Sequence, residues 1–315
     1  MKPTLSVICP VYNEEEVIAS FYGALHDVLA GLSDRYAWKI LFVVDRCEDR
    51  TLDILKEISR ADDSVRILAL SSRFGHQMSL LAGIDHCDSD AVIMMDSDLQ
   101  HPPMLIPMLL EKFEEGFDIV YTTRQDPPEI GLFKRLSSKL FYRMLNWISQ
   151  IPIKEGAADF RLVSRRVSEV FQKQIRERSL FLRGLFSWIG FRSVEIPFRA
   201  GARPAGSSKY SFGRMVRFGT QGIVAFSKKP LQAAVLVGFI FAAIGLVNAL
   251  ITFIQFFVHR SLPSGWTTLT ILISIFSGVQ LIFLGVIGEY IGAIFDEVKG
   301  RPHYIVEEKF NFDHE

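Results

Sequence analysis

The sequence predicts an α/β protein: a mostly parallel sheet flanked by helices, then amphipathic interfacial helices and a C-terminal hairpin of two transmembrane helices. Two patterns carry that prediction. Over the first 125 residues short apolar runs alternate with longer amphipathic stretches, the signature of βαβ units. Towards the C-terminus, residues 231–258 and 262–288 run for 28 and 27 positions without a charged side chain. Each run exceeds the roughly 20 residues that cross a bilayer. Composition agrees, because 49% hydrophobic residues among 315 and a mean hydropathy of +0.22 exclude a disordered or wholly soluble chain.

Strands are predicted at 5–11, 39–44, 65–70, 91–95 and 118–122, with helices between them. Asn13 followed by Glu14, Glu15 and Glu16 reads as a helix start, with Asn13 as the N-cap and Glu16 as its capping-box partner. The first turn, 10–14, then lies at the carboxyl end of the sheet, where open α/β sheets bind ligands. Over 131–148, apolar Leu132, Phe133, Leu136, Leu140 and Trp147 alternate with Lys134, Arg135, Lys139 and Arg143. Such a helix lies in a membrane interface or on the surface of a soluble core; 211–229 is similar and runs straight into the first span, which favours the interface.

The domain reading follows. Residues 1–210 form the N-terminal α/β domain, with the interfacial helix at about 131–148, and 211–229 form a juxtamembrane amphipathic helix. Residues 230–290 hold two transmembrane helices, at about 231–258 and 264–289, and 291–315 form a C-terminal tail. The turn between the spans is short, so both flanks lie on one side. Lys228, Lys229, Lys299 and Arg301 flank the spans and only Arg260 sits in the turn, which places the N-terminal domain and both termini in the cytoplasm, on a two-pass protein of the inner membrane. Buried helices of a soluble core are the alternative, and they need charge-free runs about twice the usual length.

The chain carries 35 basic and 35 acidic residues, unevenly spread. Residues 1–130 have 11 basic and 23 acidic side chains, whereas 131–230 have 20 and 5. Beside a membrane segment, that basic block meets anionic head groups or a phosphorylated ligand rather than nucleic acid. Cys9, Cys47 and Cys87 form no CxxC pair and predict neither a disulfide framework nor a zinc site. A hairpin this small offers a face to copies of itself, so a homo-oligomer is compatible with the sequence.

Asp96 and Asp98 close the fourth predicted strand, two residues apart. Leaving a sheet edge together, they can share a hard divalent cation, Mg2+ or Mn2+, with diphosphate oxygens. An isolated acidic pair is commonly a surface turn; here it closes a strand and precedes Gln100, Pro102 and Pro103.

The segments PVYNEEE at 10–16, DRCEDRT at 45–51, DSDLQHPP at 96–103, ADFRLVSR at 158–165, GSSKYS at 206–211 and GEYIGAIFDEVKGRPHYIV at 288–306 stand in order along the chain. With them the chain resembles the family 2 glycosyltransferases, and within these the polyprenyl-phosphate sugar transferases, from about residue 4 to 306. The resemblance implies a Rossmann-like GT-A fold. It implies inverting transfer of one sugar from a nucleotide sugar to a polyprenyl phosphate, with a UDP-hexose and undecaprenyl phosphate favoured. Carried over, Pro10, Tyr12, Glu14, Asp45 and Asp96 hold the donor nucleotide, while Asp96, Asp98 and Gln100 hold the metal and diphosphate. Asp98 and Asp159 are the catalytic carboxylates, with Asp159 near the acceptor phosphate as a base or positioning group. A pairing of Asp159 with Arg161 or a neighbouring arginine is the other reading. Arg124, Arg135, Ser138, Arg203 and Lys209 are assigned to lipid and donor phosphates, since guanidinium forks match phosphate oxygens.

Two departures stand out. Asp45-Arg46-Cys47 occupies the place of Asp-Gly-Ser, so Arg46 is strained if that glycine needs positive φ. Ser72-Arg73-Phe74 shifts by one residue an arginine the relatives place earlier. They motivate an alternative, a non-catalytic nucleotide-sugar-binding or membrane scaffold protein. A processive polysaccharide synthase would carry more membrane helices and a Gln-x-x-Arg-Trp motif, which is absent. His76 and His101 lack zinc-ligand spacing and read as polar loop residues. Gly206 reads as the bend of a lid over the donor.

Overall fold

The computed structural model describes residues 2–124, 157–178, 180–198, 227–259 and 265–312. β1 (Thr4–Val11), β2 (Ala37–Val44), β3 (Val65–Leu70) and β4 (Ala91–Met94) alternate with α1 (Ile18–Ala30), α2 (Thr51–Ala61) and α3 (His76–Asp85). α4 (Ile106–Glu114) leads into β5 (Ile119–Arg124). Beyond it lie β6 (Ala157–Ser164), α5 (Arg165–Lys173), α6 (Leu182–Trp188) and β7 (Ser193–Phe198). Two long helices, α7 (Lys229–His259) and α8 (Trp266–Lys299), precede β8 (Val306–Phe310).

The strands form one sheet in the order β7-β5-β6-β4-β1-β2-β3-β8. The five strands expected from the sequence are present and run the same way. β6 inserts antiparallel between β4 and β5, and β8 pairs antiparallel with the free edge of β3. The sheet is buried on both faces, which is why its strands read as unbroken apolar runs. Along β1, Leu5, Val7, Cys9 and Val11 enter the core beneath α1, α2 and α4, while Ile8 enters the opposite core beneath α3, α5 and α6. There α3 lies directly on β1: a Cβ on Gly83 would sit 2.3 Å from Ile8 Cγ2, so only glycine allows this approach.

The first helix begins later than its capping signal. α1 starts at Ile18 with no side-chain cap, and Asn13 takes φ +54°. The Asn13 side chain is spent elsewhere, because its Oδ1 accepts the Glu48 amide at 2.9 Å.

α7 and α8 run antiparallel. Tyr290 Oη donates to the Ser227 carbonyl at 2.5 Å, and the Phe241 and Phe276 rings lie 4.9 Å apart. Their apolar windows, Lys229–Asn248 and Ile275–Lys299, have mean hydropathies of 2.2 and 1.8, and none of either window is buried. Core helices of a soluble protein would be covered, so this surface belongs against lipid. α8 extends past the expected end near 289 to Lys299, and the tail beyond it is an integral strand. Ser71 N donates to the Ile305 carbonyl at 2.9 Å, and Asn311 Nδ2 donates to the carbonyls of Ser59 and Val65. The sheet therefore contains chain from both sides of the hairpin, and the C-terminal end of the hairpin meets the domain.

Candidate active site

The carboxyl ends of β1, β2, β3 and β4 bring four turns to one edge. Strand order reverses between β1 and β4, which makes that edge the switch point of the sheet. The turn after β1 is locked to the turn after β2: Glu14 N donates to Thr51 Oγ1 at 2.9 Å and Glu15 N to Asp49 Oδ2 at 3.2 Å. Pro10 belongs to the same lock, its carbonyl accepting Ser97 Oγ at 3.0 Å. The Arg73 guanidinium carbon lies 3.9 Å from the centre of the Tyr12 ring, so the shifted arginine stacks on the residue expected beside the nucleoside.

Asp45 is 4% exposed and accepts the amides of Phe74 at 2.7 Å and Gly75 at 2.9 Å. It therefore shapes the turn after β3, where Gly75 takes φ +93°. Asn13, Arg46 and Leu99 take φ of 54°, 45° and 61°, one after each of β1, β2 and β4. Strained backbone of this kind clusters at functional sites.

Arg46 does pay the strain expected of it, and its side chain offsets part of that. Its Nη1 donates to the Ser71 carbonyl at 2.9 Å and lies 3.5 Å from Glu307 of the C-terminal strand. Comparing Arg46→Gly with Arg46→Ala isolates the backbone term. Both lose the side-chain ties, and only glycine relieves a left-handed conformation that costs roughly 1–2 kcal/mol in other residues. Chemical denaturation should find Arg46→Gly the more stable by about 1 kcal/mol; equal stabilities would mean the turn is not strained.

In the turn after β4, Asp98 Oδ1 accepts the Gln100 amide at 3.0 Å, and Gln100 Oε1 accepts Arg124 Nη1 at 3.1 Å. Asp96, Asp98, Gln100 and Arg124 are thus gathered at one place. The two histidines are more than polar loop residues. His76 opens α3, and its Nε2 lies 2.7 Å from Asp96 Oδ1. His101 is 7% exposed, stacks on Phe160, and accepts the Asp96 amide on Nδ1 at 3.0 Å, which fixes its proton on Nε2 if neutral.

Asp159, on β6, faces the same cluster. Arg183 of α6 holds it with two hydrogen bonds, at 2.9 and 2.7 Å, and Arg161 Nη2 adds a third at 3.3 Å. His76 Nδ1 is 3.9 Å from its other side. Burial acts to raise the Asp159 pKa, but the charges and hydrogen bonds of Arg183 and Arg161 outweigh it and hold the carboxyl well below the usual range. Burial brings Arg161 down to about 10 against the pull of Asp159. For His76, burial acts downward, yet the Asp96 hydrogen bond and charge and the charge of Asp159 raise its pKa, favouring the imidazolium.

A carboxylate held this firmly is a poor proton acceptor. Of the two roles open to Asp159, the geometry supports positioning. His76 and Arg183 were missed in the sequence because neither lies near Asp96 or Asp159 along the chain; the fold alone joins them.

The donor set suits a divalent cation of the Mg2+ type. Among the described residues no group of three His, Cys, Asp or Glu side chains makes a closed cage. Mg2+ commonly takes one or two carboxylates and completes its shell with substrate phosphates and water. Asp98 offers such a ligand, and Asp96 is shared with His76. Arg135, Ser138, Arg203, Lys209, Gly206 and the interfacial helix at 131–148 lie outside the described residues, as does most of 211–229.

Comparison with known proteins gives the class of this site, that of a glycosyltransferase with a GT-A fold. The chain belongs to glycosyl transferase family 2, whose profile matches residues 6–171, and residues 229–294 match the GtrB C-terminal hairpin. It is 38% identical to the glycosyltransferase YkcC of Bacillus subtilis, over 98% of this chain and 94% of that one. It is 37% identical to the SfII prophage-derived bactoprenol glucosyl transferase of Shigella flexneri, over 96% and 97%. Among solved structures, the mannosyltransferase PcManGT from Pyrobaculum calidifontis, in complex with GDP-Man and Mn2+, aligns at a TM-score of 0.50 and 13% identity, over 71% of this chain and 63% of that one. That likeness is one of fold.

Proposed function

We propose that the protein transfers one sugar, with inversion, from a nucleotide sugar to a polyprenyl phosphate at the cytoplasmic face of the membrane. A UDP-hexose is the favoured donor and undecaprenyl phosphate the favoured acceptor. The observation that carries this reading is the joining of crevice and hairpin, since the sheet that forms the switch-point site also takes in β8, the strand that follows the apolar helices. The relatives named as bactoprenol glucosyl transferases support the lipid acceptor.

An oxygen of the lipid phosphate attacks the anomeric carbon, and the bond from that carbon to the nucleoside diphosphate breaks on the opposite face. A phosphate monoester has its second pKa near 6, so at neutral pH the nucleophile is already largely a dianion. No strong base is needed, in keeping with an Asp159 committed to arginines. A divalent cation held by Asp98, Asp96 and the donor would neutralise the departing diphosphate. Arg124, tied to Gln100, would face the phosphates. Arg183 and Arg161 keep Asp159 ionised, and His76 bridges it to Asp96, with Nδ1 3.9 Å from Asp159 and Nε2 2.7 Å from Asp96.

Detergent-purified protein given UDP- or GDP-sugars, undecaprenyl phosphate and Mg2+ or Mn2+ should yield a lipid-linked monosaccharide. EDTA should abolish the product, and added metal should restore it. Folded protein that binds nucleotide yet turns over no donor would favour the scaffold alternative instead.

A further inference from the structure

Beside the cluster around Asp96 and Asp159 lies a cleft of about 310 Å³ between the start of α3 and Arg178, Leu180 and Phe181. Phe74, Met78, Leu180 and Phe181 give it apolar walls, His76 joins it to the Asp96 and Asp159 cluster, and Arg178 supplies a cation. Arg178 Nη1 is buried and has no hydrogen-bond partner among the described residues. A buried donor left unmade is costly, and native structures that keep one commonly have a use for it. Glu297, near the end of α8, takes the backbone amide of Arg178 at 2.7 Å rather than its guanidinium. The cleft therefore sits where the apolar hairpin meets the catalytic domain.

We propose that this cleft receives the phosphate and first isoprenoid units of the lipid acceptor, with Arg178 donating to the phosphate. This rests on the lipid-phosphate transfer proposed above, and it adds Arg178 to the phosphate-binding residues expected from the sequence. The volume is at the lower end of that of small-ligand pockets, enough for a head group and the start of a chain but not for a whole nucleotide sugar. Apolar walls around one guanidinium with an unpaired buried nitrogen match an anion carried on hydrocarbon. Free phosphate would use the arginine and leave the walls unpaired.

The test uses the full chain in detergent. Acceptor and donor KM are measured for the wild type, Arg178→Ala, Arg178→Lys and Met78→Phe, and a photoreactive farnesyl phosphate is crosslinked and mapped by peptide mass spectrometry. Arg178→Ala should raise the acceptor KM about tenfold or more, as for one lost hydrogen bond to a charged group, and leave the donor KM within about twofold. Arg178→Lys should recover part of the loss, and Met78→Phe should raise the acceptor KM with the arginine intact. Crosslinks should fall in 74–78 and 178–181 and be competed by polyprenyl phosphate, but not by inorganic phosphate or farnesol. An unchanged acceptor KM in a folded Arg178→Ala, crosslinks elsewhere only, or equal competition by inorganic phosphate would overturn the assignment while leaving the transfer reaction standing. Crosslinks in the cleft of a wild type that transfers no sugar would instead overturn the reaction and keep the lipid-phosphate site.

Discussion

Asp159→Asn is expected to lower stability by about 3–5 kcal/mol, the range for breaking a buried ion pair from one side, and to remove most transfer activity. Asparagine keeps the shape of the side chain and loses its charge. Arg161 is 4% exposed and Arg183 is fixed to the same carboxylate by two hydrogen bonds, so the substitution leaves two guanidiniums facing each other with their shared counter-charge gone. His76 also loses one of its two carboxylate neighbours. Thermal and chemical unfolding of the purified variant give the measurement, and a loss under about 1 kcal/mol would show that the cluster is not mutually stabilising. A double variant, Asp159→Asn with Arg161→Met, should regain part of the stability, because it removes a cation that no longer has a partner. The sign with pH is fixed by the direction of the shift. A carboxyl held below its unfolded value of about 3.9 contributes fully above that pH, and its contribution disappears only as pH falls through the folded value. The deficit of the variant should therefore be present throughout neutral pH and shrink only in strong acid.

Much of this architecture was legible because burial writes itself into sequence. β1 to β5 are covered on both faces and read as apolar runs, and the hairpin helices announce themselves by the absence of charge. β6, β7 and β8 were not legible. β8 reads VEEKF, half polar, because it is an edge strand whose place is fixed by pairing with β3 and by Asn311 rather than by burial. β6 carries the charged Asp159 and Arg161, so its pattern is not a plain alternation. The Asn13 cap failed for a related reason, since a side chain with the right chemistry for capping was taken by the neighbouring turn.

The site divides the same way. Asp96, Asp98 and Gln100 sit in one short turn; spacing marks the two aspartates, and the resemblance adds Gln100. His76 reaches that turn from α3, 20 residues from Asp96, and Arg183 reaches Asp159 on β6 from 24 residues along the chain, so no local pattern encodes the meeting. Arg46 was flagged as a departure and takes the left-handed turn where a glycine was expected. Its ties to Ser71 and Glu307 show how a side chain can hold a turn that its backbone disfavours.

Asp98→Ala is expected to lower kcat by about 10²–10³-fold, the range found when one preorganised stabiliser of developing charge is removed. Stability should fall less than for Asp96→Ala, because the Asp98 hydrogen bond to the Gln100 amide lies within its own turn. Asp96→Ala should cost both activity and stability, since the Asp96 carboxylate also joins His76 to the sheet edge. The contrast separates a carboxylate that serves the metal and diphosphate from one that also serves the fold. Excess Mg2+ or Mn2+ should restore the EDTA-treated wild type and fail to restore Asp98→Ala, because the ligand and not the ion is missing. Turnover by Asp98→Ala within tenfold of the wild type, at saturating metal and donor, would place the cation elsewhere and detach the acidic turn from the chemistry. If the loss is as large as expected, the Leu99 backbone at φ +61° gains its explanation: the strained turn folds the chain between Asp98 and Gln100 so that the aspartate and the Gln100–Arg124 pair face the departing diphosphate together.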